Sequence, residues 1–408
     1  MKCRHCQSSL TLSFADLGSS PPSNSYLTQD KLSAPERWYP LRVLTCTNCW
    51  LVQTEDFAKR DEFFSADYAY FSSFSDSWLK HSEAYVAAMV GRFGLDAGSL
   101  VVEVASNDGY LLQYVKARDI PTLGIEPTAS TAKVAREKGI ETIEEFFGVD
   151  LAQRLVNEGK AADLTAANNV LAHVPDINDF VAGFATLLKP GGVSTFEFPH
   201  LMRLVEGAQF DTIYHEHYSY LSLTAVTRIF AANGLAVFDV EEITTHGGSL
   251  RVFAQRSDSG QQAVSERVAA MLEREGAVGV TTEGYYASLQ QAAERIATEL
   301  VAFLAEARQQ GKTVAGYGAA AKGNTLMNFA GVRPHLLPWI VDRNPAKQAT
   351  LAPGTRIPIV AEEHIRAERP DYIIILPWNI RAEVMEQLSY IREWGGKFVV
   401  AVPSLTVE

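Results

Sequence analysis

The seven residues from Tyr214 to Tyr220, YHEHYSY, hold two histidines, a glutamate and three tyrosines. Each of these polar groups needs a partner once buried, so such density suits a metal site, an acid/base set or a network of structural contacts. The H-E-H spacing lacks the H-E-x-x-H pattern that puts two imidazoles on one helix face, which weighs against a metal. An imidazole titrates near neutrality, so His217 is the candidate general base, with Tyr214 its rival and Glu216 its orienting or hydroxyl-binding neighbour. His173, taken alone, reads as a structural histidine as readily as a catalytic one.

The chain's four cysteines form two pairs, Cys3-x-x-Cys6 and Cys46-x-x-Cys49. Each pair on a tight knuckle can point two thiolates at one tetrahedral ion. Two redox dithiols are the competing reading. Four thiolates close the shell of Zn2+ and leave no place for water or substrate, so the expected metal is structural. His5 lies inside the first knuckle and reads as a solvated side chain.

Two further stretches have the texture of ligand turns. In VEVASNDGYLL an acidic residue on a strand, Glu103, precedes small residues and Gly109 at a helix start. Small residues admit a ligand close to the backbone, and a helix N-terminus offers free N–H groups. GIEPTAS puts Glu126 at the end of the next strand, where a carboxylate can accept from a ribose diol. The G-x-G-x-x-G of a nicotinamide site is missing, whereas a site for S-adenosylmethionine (SAM) needs only one such turn and the acidic residue. KPGG before an apolar strand fits the same layout. GYGAAAKGN, ending at Asn324, could cradle a pyrophosphate with backbone N–H groups and Lys322, although it is not a Walker loop. THGGS reads as a tight turn containing His246, Gly247 and Gly248, with Ser249 and Arg251 as candidate contacts to sugar or phosphate.

These residues need elements to hold them. The chain has 408 residues, 47% hydrophobic and 21% charged, values of a globular protein with more than one core. A formal net charge of −12 argues against nucleic acid or a membrane surface as partner. No apolar run reaches the roughly 18–20 residues of a membrane span, and MKCRHCQSS has no apolar leader. A cytoplasmic protein with reduced thiols is expected, a monomer being the simplest assembly. Residues 1–70 read as a small, loop-rich zinc-binding module too poor in apolar residues to fold alone. Repeated strand–turn–helix patterns over 71–240 predict a parallel, Rossmann-like α/β sheet. A second α/β domain is expected over 241–408. Helical patterns cover about 77–93 and 261–310, and Met89 and Phe93 are expected core.

The cysteine module, VEVASNDGYL, NNVLAHVPD, YHEHYSY, THGGSLRV and GYGAAAKGNTLMN occur in that order along nearly the whole chain. Together they resemble the sugar C-methyltransferases of deoxysugar pathways, which methylate C-3 (or C-5) of a nucleotide-linked 4-keto-6-deoxysugar. The resemblance implies an N-terminal zinc domain, a central SAM domain and a C-terminal domain sharing the sugar-nucleotide site. It implies that Tyr214, Glu216, His217, Tyr68 and His173 line the sugar site. The expected cofactor set is Glu103, Ala105, Asn107, Asp108, Gly109, Glu126 and Asn169. The expected substrate set is Ser249, Arg251, Tyr317, Lys322 and Asn324, and the metal set is Cys3, Cys6, Cys46 and Cys49. Ala105 departs from the family, which more often has Gly there. The activity implied is methyl transfer from SAM to C-3 of a dTDP-linked 4-keto deoxysugar through an enolate. The rival readings are a C-5, N- or O-methyltransferase, and a non-enzymatic zinc-ribbon binding protein.

Overall fold

The computed structural model describes residues 1–57 and 71–408, so Tyr68 lies outside the described residues. Three sheets organise them. The first is antiparallel, in the order β1 (Leu12–Ser20), β2 (Tyr39–Thr45), β3 (Val52–Thr54), β9 (Ser219–Tyr220). The N-terminal module contributes three of these strands, and a long loop joins β1 to β2. Its Phe14, Leu17, Leu41 and Val43 are buried in one core with Leu289, Ala293 and Ile296 of the helix Ser288–Gln309. A segment too small for a core of its own borrows one from the C-terminal part.

The central sheet has seven strands: β4 (Val101–Val104), β5 (Thr122–Ile125), β6 (Thr142–Ile143), β7 (Ala162–Asn168), β8 (Leu188–Pro199), β10 (Leu235–Ile243) and β11 (Ser249–Arg256). Their spatial order is β10-β11-β8-β7-β4-β5-β6. Strands β4 to β8 pair in parallel, whereas β11 is antiparallel to both neighbours. Both faces are covered, as a parallel sheet requires. Val102 and Val104 pack with the helix Ile177–Leu187, and Val101 packs with Tyr85, Val86 and Met89 of the helix Asp76–Phe93. Strand β10 crosses the boundary expected at 240/241, and its hairpin partner β11 completes the same sheet. The strand order reverses beside β4, which opens a crevice at the strand C-termini between β4 and β7.

The third sheet joins β12 (Val314–Tyr317), β13 (Ile340–Val341), β14 (Ile359–Val360), β15 (Tyr372–Ile375), β16 (Lys397–Val400) and β17 (Thr406–Val407) in the order β14-β13-β12-β15-β16-β17. Its switch point falls between β12 and β15, next to the GYGAAAKGN turn. The helical stretch expected over 261–310 is instead two helices, Glu266–Val278 and Ser288–Gln309. Gly279 ends the first with φ +93, a left-handed cap that glycine adopts without steric cost.

The helix Leu223–Ala232 begins three residues after YHEHYSY, and its start is held by a buried carboxylate. Glu275 accepts from the Leu223 and Thr224 N–H groups, each at 2.7 Å, and from the Thr224 hydroxyl at 2.6 Å. His200 Nε2 lies 2.7 Å from the same carboxylate, with both side chains fully enclosed. Burial raises the pKa of Glu275, but the bonds from His200 and Thr224 outweigh it and hold the carboxyl below its ordinary range. Its stabilisation is therefore present above the ordinary carboxylate range and is lost as the pH falls through the lowered value. Glu275→Ala strands these donors, and breaking a buried pair costs about 3–5 kcal/mol. Urea denaturation is expected to show that loss at neutral pH.

Candidate active site

The stretch YHEHYSY meets partners from several parts of the chain, most of them backbone carbonyls and loop side chains. Tyr214 Oη lies 2.7 Å from His217 Nε2. His217 Nδ1 lies 2.8 Å from the Thr212 carbonyl, which can only accept, so Nδ1 carries the hydrogen. Nε2 then accepts from the tyrosine hydroxyl. The two rings overlap at a centroid distance of 3.9 Å, and the His173 ring stands edge-on to His217 at 4.6 Å. Burial, reinforced by His173, holds His217 well below the usual histidine range, so its neutral form is resident at neutral pH. Burial likewise lowers His173 to about 4, against a hydrogen bond to the Glu216 carbonyl.

Glu216 faces the N-terminal module. Asn24 Nδ2 reaches both of its carboxylate oxygens, each at 2.8 Å. Burial still raises this carboxyl to about 7. His215 turns the other way, with Nε2 at 3.3 and 3.2 Å from the carbonyls of Tyr39 and Pro40. The two histidines of H-E-H therefore do not converge. Among the described residues, the ligand atoms that do converge are those of Cys3, Cys6, Cys46 and Cys49, all within 4.8 Å of one another. Zn–S bonds of about 2.3 Å place tetrahedral sulfurs roughly 3.8 Å apart, so this cluster fits zinc. Gln53 Nε2 donates to Cys3 Sγ at 3.3 Å, a partner that holds the ligand's orientation. His5 is not solvated as expected, since its Nδ1 meets Asn178 Oδ1 at 2.8 Å.

The metal module supports the site through its backbone. Thr54 Oγ1 donates to the His217 carbonyl at 2.6 Å, and Thr54 N–H to the Tyr218 carbonyl at 3.1 Å. Arg4, inside the first cysteine knuckle, donates to the same Tyr218 carbonyl at 2.8 Å. Tyr218 N–H in turn donates to Ala172, the residue before His173, at 2.7 Å.

At the C-terminal end of β4 the chain passes through left-handed conformations at Ala105 (φ +61), Asn107 (φ +48) and Gly109 (φ +77). At φ +77 an L side chain on Gly109 would be strained, and its Cβ would also press on Ile140 Cδ1. The methyl of Ala105 sits in a backbone region that favours glycine, a strain of about 1–2 kcal/mol. Glu126 accepts from the Asn107 N–H at 3.0 Å and the Thr128 N–H at 2.8 Å, so its carboxylate lies across the turn. Asp108 Oδ1 and Asn169 Oδ1 are buried and accept no hydrogen bond. Acceptors of this kind suit the ribose diol and amino groups of SAM, so the crevice fits the expected cofactor. Glu103 is fully enclosed, and burial, with the charges of Asp108 and Glu126 nearby, pushes its carboxyl well up.

The expected substrate residues divide. Lys322 stands in the site: its Nζ donates to Asn379 Oδ1 at 2.7 Å and lies 4.6 Å over the Trp378 ring. Its charge acts on Asp211, His217 and His246. Trp378 Nε1 donates to Asp211 at 2.7 Å. Burial raises Asp211 to about 6. Arg251 is committed elsewhere. The register sets it opposite Glu197 on β8 and Glu241 on β10, and its guanidinium binds both, at 2.6 and 3.2 Å. Asn324 is fully buried and donates to the Ser23 carbonyl at 2.7 Å. Tyr317 accepts from Gln387 at 2.9 Å, and the Ser249 hydroxyl closes its own turn on the Thr245 carbonyl at 2.9 Å. Asn24, Asp211 and Trp378 were not expected. Each lies in a loop or turn with no chemical spacing, and only the fold brings it to the site.

Three family profiles match along the chain: "Putative zinc binding domain" over residues 3–64, "Methyltransferase domain" over 78–240 and "C-methyltransferase C-terminal domain" over 244–403. The C-methyltransferase NovU of Streptomyces niveus is 34% identical over 402 residues, 98% of this chain and 95% of its own length. The ubiquinone biosynthesis O-methyltransferase of Chelativorans sp. (strain BNC1) is 27% identical over 113 residues, only 26% of this chain and 45% of its own. Among solved structures, the PH0226 protein from Pyrococcus horikoshii OT3 aligns with a TM-score of 0.39 and 15% identity over 50% of this chain and 100% of that one.

The cysteine geometry makes the metal testable. Elemental analysis is expected to find one zinc per chain, and Cys46→Ser to lower that content. Chelation is expected to lower activity in step with loss of N-terminal structure, because Thr54 and Arg4 would release the His217 and Tyr218 carbonyls. Zinc removed with both structure and activity intact would contradict this.

Proposed function

The chain belongs to the family of SAM-dependent C-methyltransferases, and from that premise we propose that it methylates C-3 of a dTDP-linked 4-keto deoxysugar. The observation that carries this reading is the Tyr214–His217 pair, 2.7 Å apart, with the imidazole hydrogen fixed on Nδ1. A C–H beside a ketone is weakly acidic, so methylation there needs a base, a donor to the enolate oxygen and an aligned methyl. The bound cofactor supplies an electrophilic methyl on sulfonium.

The pair can serve two of these needs. At rest the tyrosine hydroxyl donates to His217 Nε2. When that hydrogen turns to the 4-keto oxygen, the Nε2 lone pair is released to take the C-3 proton. His217 is then the base, and Tyr214 steadies the oxyanion. His173 stands beside the pair as a neutral ring, and Tyr68 is a second candidate donor. Glu216, held by Asn24, is the candidate partner for sugar hydroxyls. Glu126 takes the cofactor ribose, with Asp108 and Asn169 beside it. Lys322, at the start of the helix Ala321–Phe329, lies where a sugar-linked pyrophosphate would bring negative charge toward the base.

Three measurements test this reading. Substrate held in D2O with S-adenosylhomocysteine is expected to exchange its C-3 hydrogen in the wild type, given that the abstracted proton escapes to solvent. His217→Asn is expected to slow this exchange by about 10²–10⁴-fold. Tyr214→Phe is expected to slow it by no more than about 10²–10³-fold. The opposite ranking would give the base role to Tyr214. Calorimetry is expected to show SAM binding weaker by about 1–3 kcal/mol in Glu126→Ala. Lys322→Ala is expected to raise KM for the nucleotide sugar with SAM affinity unchanged, and an equal effect on both ligands would remove it from the substrate's side.

A further inference from the structure

The turn between β10 and β11 is the part of the site that the reaction above leaves unused. His246, Gly247 and Gly248 follow one another at φ +54, +90 and +111. Glycine adopts such conformations freely, but histidine does so only at a cost. The imidazole therefore sits where a glycine would be easier, and its contacts reach in two directions. His246 Nε2 lies 3.2 Å from Asn169 Nδ2, so the amide donates and the ring nitrogen accepts. Asn169 follows β7 at the mouth of the crevice and is itself left-handed, at φ +53. The His246 ring also lies against Trp78, with centroids 5.4 Å apart.

The other end of the turn meets the sugar's side of the site. Gln209 donates to the Gly247 carbonyl at 2.8 Å. Trp378 packs so closely that a Cβ on Gly247 would come within 2.5 Å of its ring. The same indole binds Asp211 at 2.7 Å and lies under the Lys322 ammonium at 4.6 Å. Asp211 is followed by Thr212, whose carbonyl holds His217 Nδ1. A continuous set of contacts thus runs from Asn169 through His246 and Gly247 to Trp378, Asp211 and His217.

We propose that His246 is a positioning residue, which through Asn169 and its own turn sets the methyl donor's crevice in register with the base and the sugar. The inference rests on the methyl-transfer reading above. Alignment matters most for the transfer step, where the sulfonium methyl and C-3 must meet in line, and it matters little for proton removal, which the Tyr214–His217 pair performs without the donor. A misplacement on the order of 1 Å can cost about 10²-fold in such a step.

His246→Gly is the informative variant, because it removes the imidazole while keeping a residue that tolerates positive φ. His246→Asn is the conservative partner, since asparagine also enters the left-handed region and keeps a polar side chain toward Asn169. Single-turnover methyl transfer is expected to fall about 10–100-fold in His246→Gly, a loss of alignment rather than of chemistry. C-3 exchange in D2O and S-adenosylhomocysteine affinity are expected to stay within roughly threefold of the wild type, a change under about 1 kcal/mol. His246→Asn is expected to recover most of the transfer rate. Unchanged transfer in His246→Gly would overturn the proposal. So would exchange falling as far as transfer, which would mark a general disturbance of the site or a role in proton removal. The wild-type arm separates this failure from that of the parent reading: a wild type that methylates no 4-keto sugar refutes both, whereas a defect pattern of the wrong shape against an active wild type refutes the role of His246 alone.

Discussion

Strand β3 ends at Thr54, and there its hydroxyl and N–H take the carbonyls of His217 and Tyr218. Arg4, one residue into the first cysteine knuckle, takes the Tyr218 carbonyl as well. A stretch as polar as YHEHYSY cannot pay for its own burial with apolar contacts. It is held because β9 joins an antiparallel sheet whose other three strands belong to the cysteine module. That module lacks the area for an independent core and depends on the metal and on the helix Ser288–Gln309. The cysteine cluster thus bears directly on the geometry of the His217 and Tyr218 backbone.

Part of the chain's backbone strain lies where the ligands are expected. Ala105, Asn107, Asn169 and His246 are non-glycine residues with positive φ, and they lie in the crevice or its border. Such conformations cost roughly 1–3 kcal/mol each and persist only where the surroundings fix them. Two of the four are asparagines, which tolerate the left-handed region better than most residues. Ala105 has no such advantage. Its strain is stored in the turn that faces the expected cofactor, and Ala105→Gly would release it at the entropic cost of a more flexible unfolded chain.

The sequence was readable where chemistry imposes a spacing. Two CxxC knuckles, a strand followed by a small turn and a helix, and an acidic residue one strand later need no tertiary information. They correspond to the cysteine cluster, to β4 with Gly109 and to Glu126 at the tip of β5. Individual partners across sheets were harder. Arg251 looked like a phosphate ligand because an arginine after THGGS is a cation beside a turn. Only the pairing of β11 with β8 and β10 reveals that two glutamates face it. Asn324 sits in the right motif and is consumed by Ser23, which comes from a loop some three hundred positions away, about the least legible kind of contact. Asn24 and Trp378 carry no motif, yet one grips Glu216 and the other Asp211.

The electrostatics of the site follow from this enclosure. Burial drives His173 and His246 to about 4 and His217 well down, so three imidazoles in one region are neutral at neutral pH. The Lys322 charge acts in the same direction on His217 and His246. A neutral imidazole can accept a proton, but the enclosure that keeps it neutral also makes its cation costly. Negative charge arriving on the substrate changes that balance, because an anion beside Lys322 offsets the field acting on His217. In the proposed reaction the C-terminal sheet would then contribute more than a holding surface: by bringing Lys322 near His217, it would ease proton abstraction when the anionic end of a substrate is present.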